Sequence, residues 1–197
     1  MLSAQVSTNA GMFVVHKDGR LTEMVEQPYD SEKLLQALLS QYPSLLAGNQ
    51  IDPEVPRRWL LLSQEYGVPD ALNGGERWSL DHLFLDQEAI PTLVEVKRSS
   101  DTRIRREVVG QMLDYAANAV IYWPIESMKA KFEQRCISEG KNPDELVVEL
   151  VGDHQTVDAF WDMVKANLRQ GKIRLLFVAD VIPQSLRRII EFLNGQM

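Results

Sequence analysis

Two strand-like segments joined by a short turn, with a helix-like segment after them, constrain the fold of this chain more than any other feature. Residues 78–86 alternate between apolar and polar side chains up to a turn-like Asp-Gln-Glu-Ala, and residues 90–98 are aliphatic and β-branched. Residues 102–120 then carry apolar side chains at helical spacing. This order predicts an α/β fold in which the two strands join a central sheet and the helix lies on it.

Three charged residues fall inside these two strands: Asp81 in the first, and Glu95 and Lys97 in the second. Residues two apart in a strand share a face, so Glu95 and Lys97 should project from one side, with Asp81 beside them on the neighbouring strand. Burying such charges without compensation is costly, and two carboxylates favour a divalent cation between them. Oxygen ligands at partly hydrated positions favour Mg²⁺ or Mn²⁺ over zinc.

Asp81 and the Glu95-Val96-Lys97 triplet resemble the motif of the PD-(D/E)xK nuclease superfamily, which has the restriction-endonuclease-like fold. Gln111 and Tyr115, four residues apart, match the Gln-x-x-x-Tyr helix motif of its RecB-like branch. The resemblance spans about residues 31–120. One departure is that Leu80, rather than proline, precedes the motif aspartate.

An amphipathic helix ahead of this core carries Glu32 and looks like that of NucS-type endonucleases. The resemblance implies that Asp81, Glu95 and the main-chain carbonyl of Val96 hold a metal ion, which Glu32 could reach through water. An alternative for Glu32 is an ordinary acid in the first turn that complements the helix dipole.

The resemblance implies metal-dependent hydrolysis of phosphodiester bonds in DNA, by an endonuclease or exonuclease in repair or defence. Lys97 would orient the attacking water and stabilise the transition state. Gln111 and Tyr115 would position water, a metal ligand or the substrate backbone from one helix face. DNA is the expected partner, and RNA stays open.

A local excess of positive charge follows the second strand, although the net charge of the chain is −7. That net charge argues against a protein that coats nucleic acid, because phosphate neutralisation needs clustered cations. The cluster near the proposed site, which we call the basic lip, is predicted to contact phosphates; it comprises Arg98, Arg103, Arg105 and Arg106. The alternative is a solvated helix start.

Length and composition predict one domain over residues 1–197, since 197 residues with 45% hydrophobic side chains can bury a sizeable core. A hairpin is predicted over residues 11–27, turned at Lys17-Asp-Gly19. Cys136 is the only cysteine, which excludes an internal disulfide. With no signal peptide or long apolar run, the sequence predicts a cytoplasmic protein without a membrane partner. A homodimer, and a chain that is a fragment of a longer protein, are both compatible with it.

The remaining segments complete the predicted sheet and its covering helices. Residues 59–62 and 173–180 are expected to be strands, the second of them buried, and residues 183–194 a last amphipathic helix. Residues 124–170 are expected to be helical with a break at Asn142-Pro143, although residues 145–151 could instead form an added strand.

Three functional hypotheses are open at this point. The first is an active nuclease with the Asp81, Glu95 and Lys97 set. The second is a catalytically idle relative that binds nucleic acid or a protein partner. The third is an intracellular α/β interaction module in which the acid-rich strand is coincidental.

Overall fold

The structure of this chain is a computed structural model, which describes residues 12–25, 29–69, 76–98 and 107–196. Its strands are β1 (Met12–Val15), β2 (Leu21–Met24), β3 (Trp59–Pro69), β4 (Glu76–Asp86), β5 (Pro91–Lys97) and β6 (Arg174–Ala179). Its helices are α1 (Glu32–Gln41), α2 (Gly48–Ile51), α3 (Glu107–Tyr122), α4 (Ile125–Ser138), α5 (Pro143–Val151), α6 (Val157–Arg169) and α7 (Gln184–Asn194). Short 3₁₀ turns occupy Pro43–Leu45 and Gly152–His154.

A four-stranded mixed sheet forms the centre, in the order β3-β4-β5-β6. The β3/β4 and β4/β5 pairs are antiparallel, whereas β5 and β6 are parallel. Parallel neighbours need a crossover, and here α3 to α6 supply it. The predicted central mixed sheet with flanking helices is therefore confirmed.

The two faces of the sheet pack against different helices because successive side chains of a strand point to opposite sides. In β5, Leu93 joins the larger core with residues of α3 to α6, while Val94 and Val96 join a smaller core with Leu35 and Leu39 of α1. Ser31 caps α1, accepting a hydrogen bond from the Leu34 amide at 3.2 Å. Together, α1 and α3 enclose the end of β5 from opposite faces.

The turn between β4 and β5 is held by a buried carboxylate. Asp86 is fully buried; its Oδ1 accepts hydrogen bonds from the amides of Glu88 and Ile90, and its Oδ2 accepts one from Arg174 Nη1 at 2.7 Å. Ala89 in this turn has a positive φ of 59°. The predicted turn after Asp86 is confirmed, and the Arg174 contact joins it to β6.

The predicted N-terminal hairpin is confirmed as β1 and β2, a separate two-stranded sheet with Met12 opposite Met24. Gly19 supplies the positive φ of 83° that the turn requires. Both strands are exposed along their whole length.

The prediction of helices over residues 124–170, with a break at Asn142-Pro143, is confirmed by α4, α5 and α6, and one prediction about burial is wrong. Residues 145–151 are helix rather than an added strand, because Asn142 caps α5 and Pro143 occupies its first turn. The strand predicted to be buried near residue 173 is only half-buried, since β6 lies at an edge of the sheet. The helix predicted from residue 102 is described from Glu107, and its predicted start lies outside the described residues.

Candidate functional site

The candidate site lies where the pairing of β4 with β5 ends. The last pair in the register is His82 with Val94. Beyond it, the amide of Val96 donates to Asp81 Oδ2 at 2.7 Å instead of to a main-chain carbonyl. The Asp81 carboxylate thus takes the place of a main-chain partner for β5.

Lys97 and Glu95 form an ion pair beside this point. Lys97 Nζ donates to Glu95 Oε1 at 2.8 Å and to the Val96 carbonyl at 3.1 Å. Glu95 is 2% exposed, and its buried Oε2 atom has no hydrogen-bond partner among the residues that the structure describes. An ionised carboxylate with one free oxygen is a costly group to bury, so this atom is open to a cation or a donor.

Helix α3 presents Gln111 and Tyr115 to the same carboxylate. Gln111 Nε2 donates to Glu95 Oε1 at 3.4 Å and also to the Tyr115 hydroxyl. The two residues are one helical turn apart, so they share the face that α3 turns to the sheet. The structure therefore brings Glu95, Lys97, Gln111 and Tyr115 into one hydrogen-bonded cluster.

Helix α1 approaches from the other side. Glu32 Oε1 accepts a hydrogen bond from the Arg98 amide at 3.3 Å. One turn later, Gln36 Nε2 donates to Asp81 Oδ1 at 2.8 Å. Gln36 is not among the site residues predicted from the sequence; its position four residues after Glu32, on the same helix face, is the signal that could have identified it.

Burial shifts the pKa values of the acids at this site, and the charge of Asp81 adds to the shift of Glu95. Burial, followed by the negative charge of Asp81, raises the pKa of Glu95 to about 7, although the Lys97 hydrogen bond opposes the rise. Burial also raises the pKa of Asp81, against the Val96 amide, which lowers it. Burial lowers the pKa of Lys97, but the hydrogen bond and charge of Glu95 outweigh it, so that pKa is raised. Burial likewise raises the pKa of Tyr115.

Three oxygen donors at this site could serve as ligands to a divalent cation. Across the ranges that the structure describes, no group of three or more His, Cys, Asp or Glu side chains could hold a metal ion. The oxygen donors in this cluster are two carboxylates, Asp81 and Glu95, with the Val96 carbonyl as a third. The Lys97 ammonium already donates hydrogen bonds to Glu95 Oε1 and to the Val96 carbonyl. Glu95 Oε2 accepts no hydrogen bond from the described residues. A set with so few protein oxygens could hold only a cation that keeps several waters as ligands.

The basic lip is described only at Arg98. Its Nη1 donates to the Asp30 carbonyl at 3.2 Å, and its buried Nε has no partner within the described part of the chain. Its side chain is thus directed to the start of α1. Arg103, Arg105 and Arg106 lie outside the described residues.

The two histidines whose side chains the structure describes, His16 and His82, lie outside this hydrogen-bonded cluster. His82 is fully buried, with Nε2 at 2.9 Å from the Gln36 carbonyl and 3.0 Å from Ser40 Oγ. Burial lowers the pKa of His82. The exposed His16 contacts Thr22 in the N-terminal hairpin. Both contacts are structural.

Comparison of the chain with protein-family models, with curated proteins and with solved structures finds no match in any of the three. In the described part of the chain, no helix has the length and apolar character needed to cross a bilayer.

Proposed function

We propose that this protein is a metal-dependent deoxyribonuclease with a restriction-endonuclease-like fold. The observation that supports this most is the joint engagement of Glu95 by Lys97 and Gln111, while Asp81 binds the neighbouring Val96 amide. An acid pair, a lysine and an amide supply the ligands and donors that phosphodiester hydrolysis requires.

The cation, Mg²⁺ or Mn²⁺, would be held by Asp81, Glu95 and the Val96 carbonyl. When bound, it supplies Lewis-acid stabilisation of negative charge and a more acidic water. Glu32 lies close enough for its charge to raise the pKa of Glu95, after the larger effects of burial and of Asp81. A role for Glu32 through water therefore stays part of the proposal.

Lys97 acts as the electrostatic catalyst in this proposal. With a cation held by these oxygens, Lys97 would lie beside a second positive charge and would release Glu95 Oε1 and the Val96 carbonyl. Its Nζ could then donate to the scissile phosphate, where negative charge develops in the transition state. The ion pair is thus the resting arrangement of the site.

Gln111 and Tyr115 serve as positioning groups. Their mutual hydrogen bond and the contact of Gln111 with Glu95 restrict both side chains before substrate arrives. An amide offers a donor and an acceptor, and a phenol does the same, so either can orient a water or a substrate oxygen. Arg98, Arg103, Arg105 and Arg106 are proposed to contact phosphates without reading bases.

The experiment is cleavage of single-stranded, duplex, mismatched and flapped DNA with Mg²⁺ or Mn²⁺, with an RNA strand as a further substrate. Cleavage should require the metal and disappear in EDTA. Lys97→Ala should lose most of the activity, whereas Lys172→Ala, which removes an exposed lysine just before the start of β6, should retain it. Equal activity of Lys97→Ala and the wild type would contradict the assignment.

A catalytically idle relative that binds nucleic acid or a protein partner is the second candidate. The contact of Lys97 Nζ with both Glu95 and the Val96 carbonyl favours it, because the protein's own ammonium already compensates these groups. This alternative would be supported if the protein bound the same DNA set without cleaving it and if calorimetry showed no binding of Mg²⁺ or Mn²⁺.

A further inference from the structure

The Asp81 carboxylate is held by two donors from different elements. Gln36 Nε2 of α1 donates to Oδ1 at 2.8 Å, and the Val96 amide of β5 donates to Oδ2 at 2.7 Å. Each carboxylate oxygen has two acceptor positions, and among the described residues one donor occupies one position on each atom. The plane of the carboxylate is therefore defined by Gln36 and Val96 together.

Gln36 is itself held in place at its main chain. Its carbonyl lies 2.9 Å from His82 Nε2 and accepts a hydrogen bond from Ser40 Oγ at 3.1 Å. Asp81 and His82 are consecutive in β4, so two neighbouring residues engage one residue of α1. This double contact sets the position of α1 along the strand at the point where the site begins.

Packing beneath the helix strengthens this arrangement. Leu35, adjacent to Gln36, and Leu39, one turn later, are both buried in the core that α1 shares with Phe84, Val94 and Val96. The backbone that carries the Gln36 amide is thus anchored to the sheet, so a small rearrangement of α1 cannot easily carry the amide away from Asp81.

We propose that Gln36 is a positioning residue for the reaction, which orients the Asp81 carboxylate toward the cation and thereby sets the affinity of the site for metal. This inference rests on the proposed metal-dependent function. A ligand carboxylate that loses its outer hydrogen bond can rotate away from the metal, and loss of such a partner typically weakens metal binding about 10- to 100-fold. The Val96 amide alone would hold only one of the two Asp81 oxygens.

The test is calorimetric titration of the whole chain with Mn²⁺. Gln36→Met keeps the bulk of the side chain but removes its donor, and it should weaken Mn²⁺ binding about 10-fold or more. Gln41→Met is the matched control: Gln41 is an exposed glutamine at the end of the same helix, without a side-chain hydrogen bond to any described residue. It should bind Mn²⁺ like the wild type.

Gln36→Ala provides a second variant, since Gln36 is only partly buried and alanine favours helix. Urea unfolding of each variant in EDTA measures whether the fold is retained. A lower stability with unchanged Mn²⁺ affinity would assign Gln36 a structural role and overturn the inference. Absence of Mn²⁺ binding in the wild type would instead overturn the proposed function on which the inference rests.

The dependence of DNA cleavage on the Mn²⁺ concentration also distinguishes a positioning role of Gln36 from a structural one. If Gln36 acts on metal affinity, Gln36→Met should need more Mn²⁺ for half-maximal cleavage, by the factor found in calorimetry, and should reach the wild-type rate at saturating Mn²⁺. An unchanged half-maximal Mn²⁺ concentration with a lower saturated rate would contradict the inference.

Discussion

Replacing Glu95 by glutamine should make the stability of the protein less dependent on pH. Burial, together with the charge of Asp81, raises the pKa of Glu95 from 4.5 to about 7 in the folded chain. A folded-state pKa above the unfolded value contributes stability that is fully present below pH 4.5 and is lost as pH rises through 7. The wild type should therefore lose stability across this window, and Glu95→Gln should not.

The size of this effect follows from the shift. A rise from 4.5 to about 7 corresponds to about 3 kcal/mol of unfolding free energy between pH 4 and pH 8. A glutamine at position 95 keeps an amide oxygen that can accept the hydrogen bond from Lys97 Nζ but cannot ionise, so a change in stability that does not depend on pH cancels when the two pH values are compared. The difference between variant and wild type should thus shift by about 3 kcal/mol in favour of Glu95→Gln as pH rises.

Urea unfolding of both proteins at pH 4 and pH 8, in EDTA to exclude metal, measures this difference. Glu54→Gln makes the same change at an exposed position, and its difference from the wild type should stay nearly constant. A difference between Glu95→Gln and the wild type that is equal at both pH values would refute the reasoning, because it would mean that Glu95 is not a buried acid with a raised pKa.

Two further predictions concern metal binding and the opposite end of the sheet. Mn²⁺ should compete with protons for Glu95, so the affinity for Mn²⁺ should rise with pH up to about 7 and level off above it. Calorimetry in buffers of different ionisation enthalpy should show the release of protons on binding. An affinity that does not change with pH would contradict this prediction. Arg174→Met should destabilise the protein by about 3 kcal/mol, because it leaves the buried Asp86 carboxylate without its charged partner. Urea unfolding should show a much smaller loss for Arg188→Met, an exposed arginine on α7, and equal losses would contradict the role of the Asp86 pair.

The sheet was predictable from sequence because its strands carry strong local signals. Alternating side chains before Asp86 and the aliphatic run around Val94 indicated β4 and β5, and the helical spacing around Met112 indicated α3. The edge position of β6 was not predictable, because a run of apolar residues looks the same in a central strand and in an edge strand that helices partly cover. Strand order depends on tertiary packing, which local periodicity does not encode.

The candidate site was only partly predictable for a similar reason. Spacing two apart placed Glu95 and Lys97 on one side, and spacing four apart placed Gln111 and Tyr115 on one helix face. The spacing of four between Glu32 and Gln36 places both on one helix face but does not indicate Asp81 as the partner of Gln36, because Asp81 is 45 residues away and the contact exists only once α1 packs on the sheet. The interaction of Lys97 with the Val96 carbonyl also depends on the side-chain conformation in the fold.

The central claim, that Asp81 and Glu95 form a site for a divalent cation, is tested most directly by calorimetric titration of the apo protein with Mn²⁺ at pH 8. The wild type should bind one Mn²⁺, Asp81→Ala should lose this binding, and Lys97→Ala should retain or strengthen it, because the ammonium no longer competes for Glu95 Oε1 and the Val96 carbonyl. Binding of Mn²⁺ by Asp81→Ala with wild-type affinity, or no binding by the wild type, would contradict the proposed site.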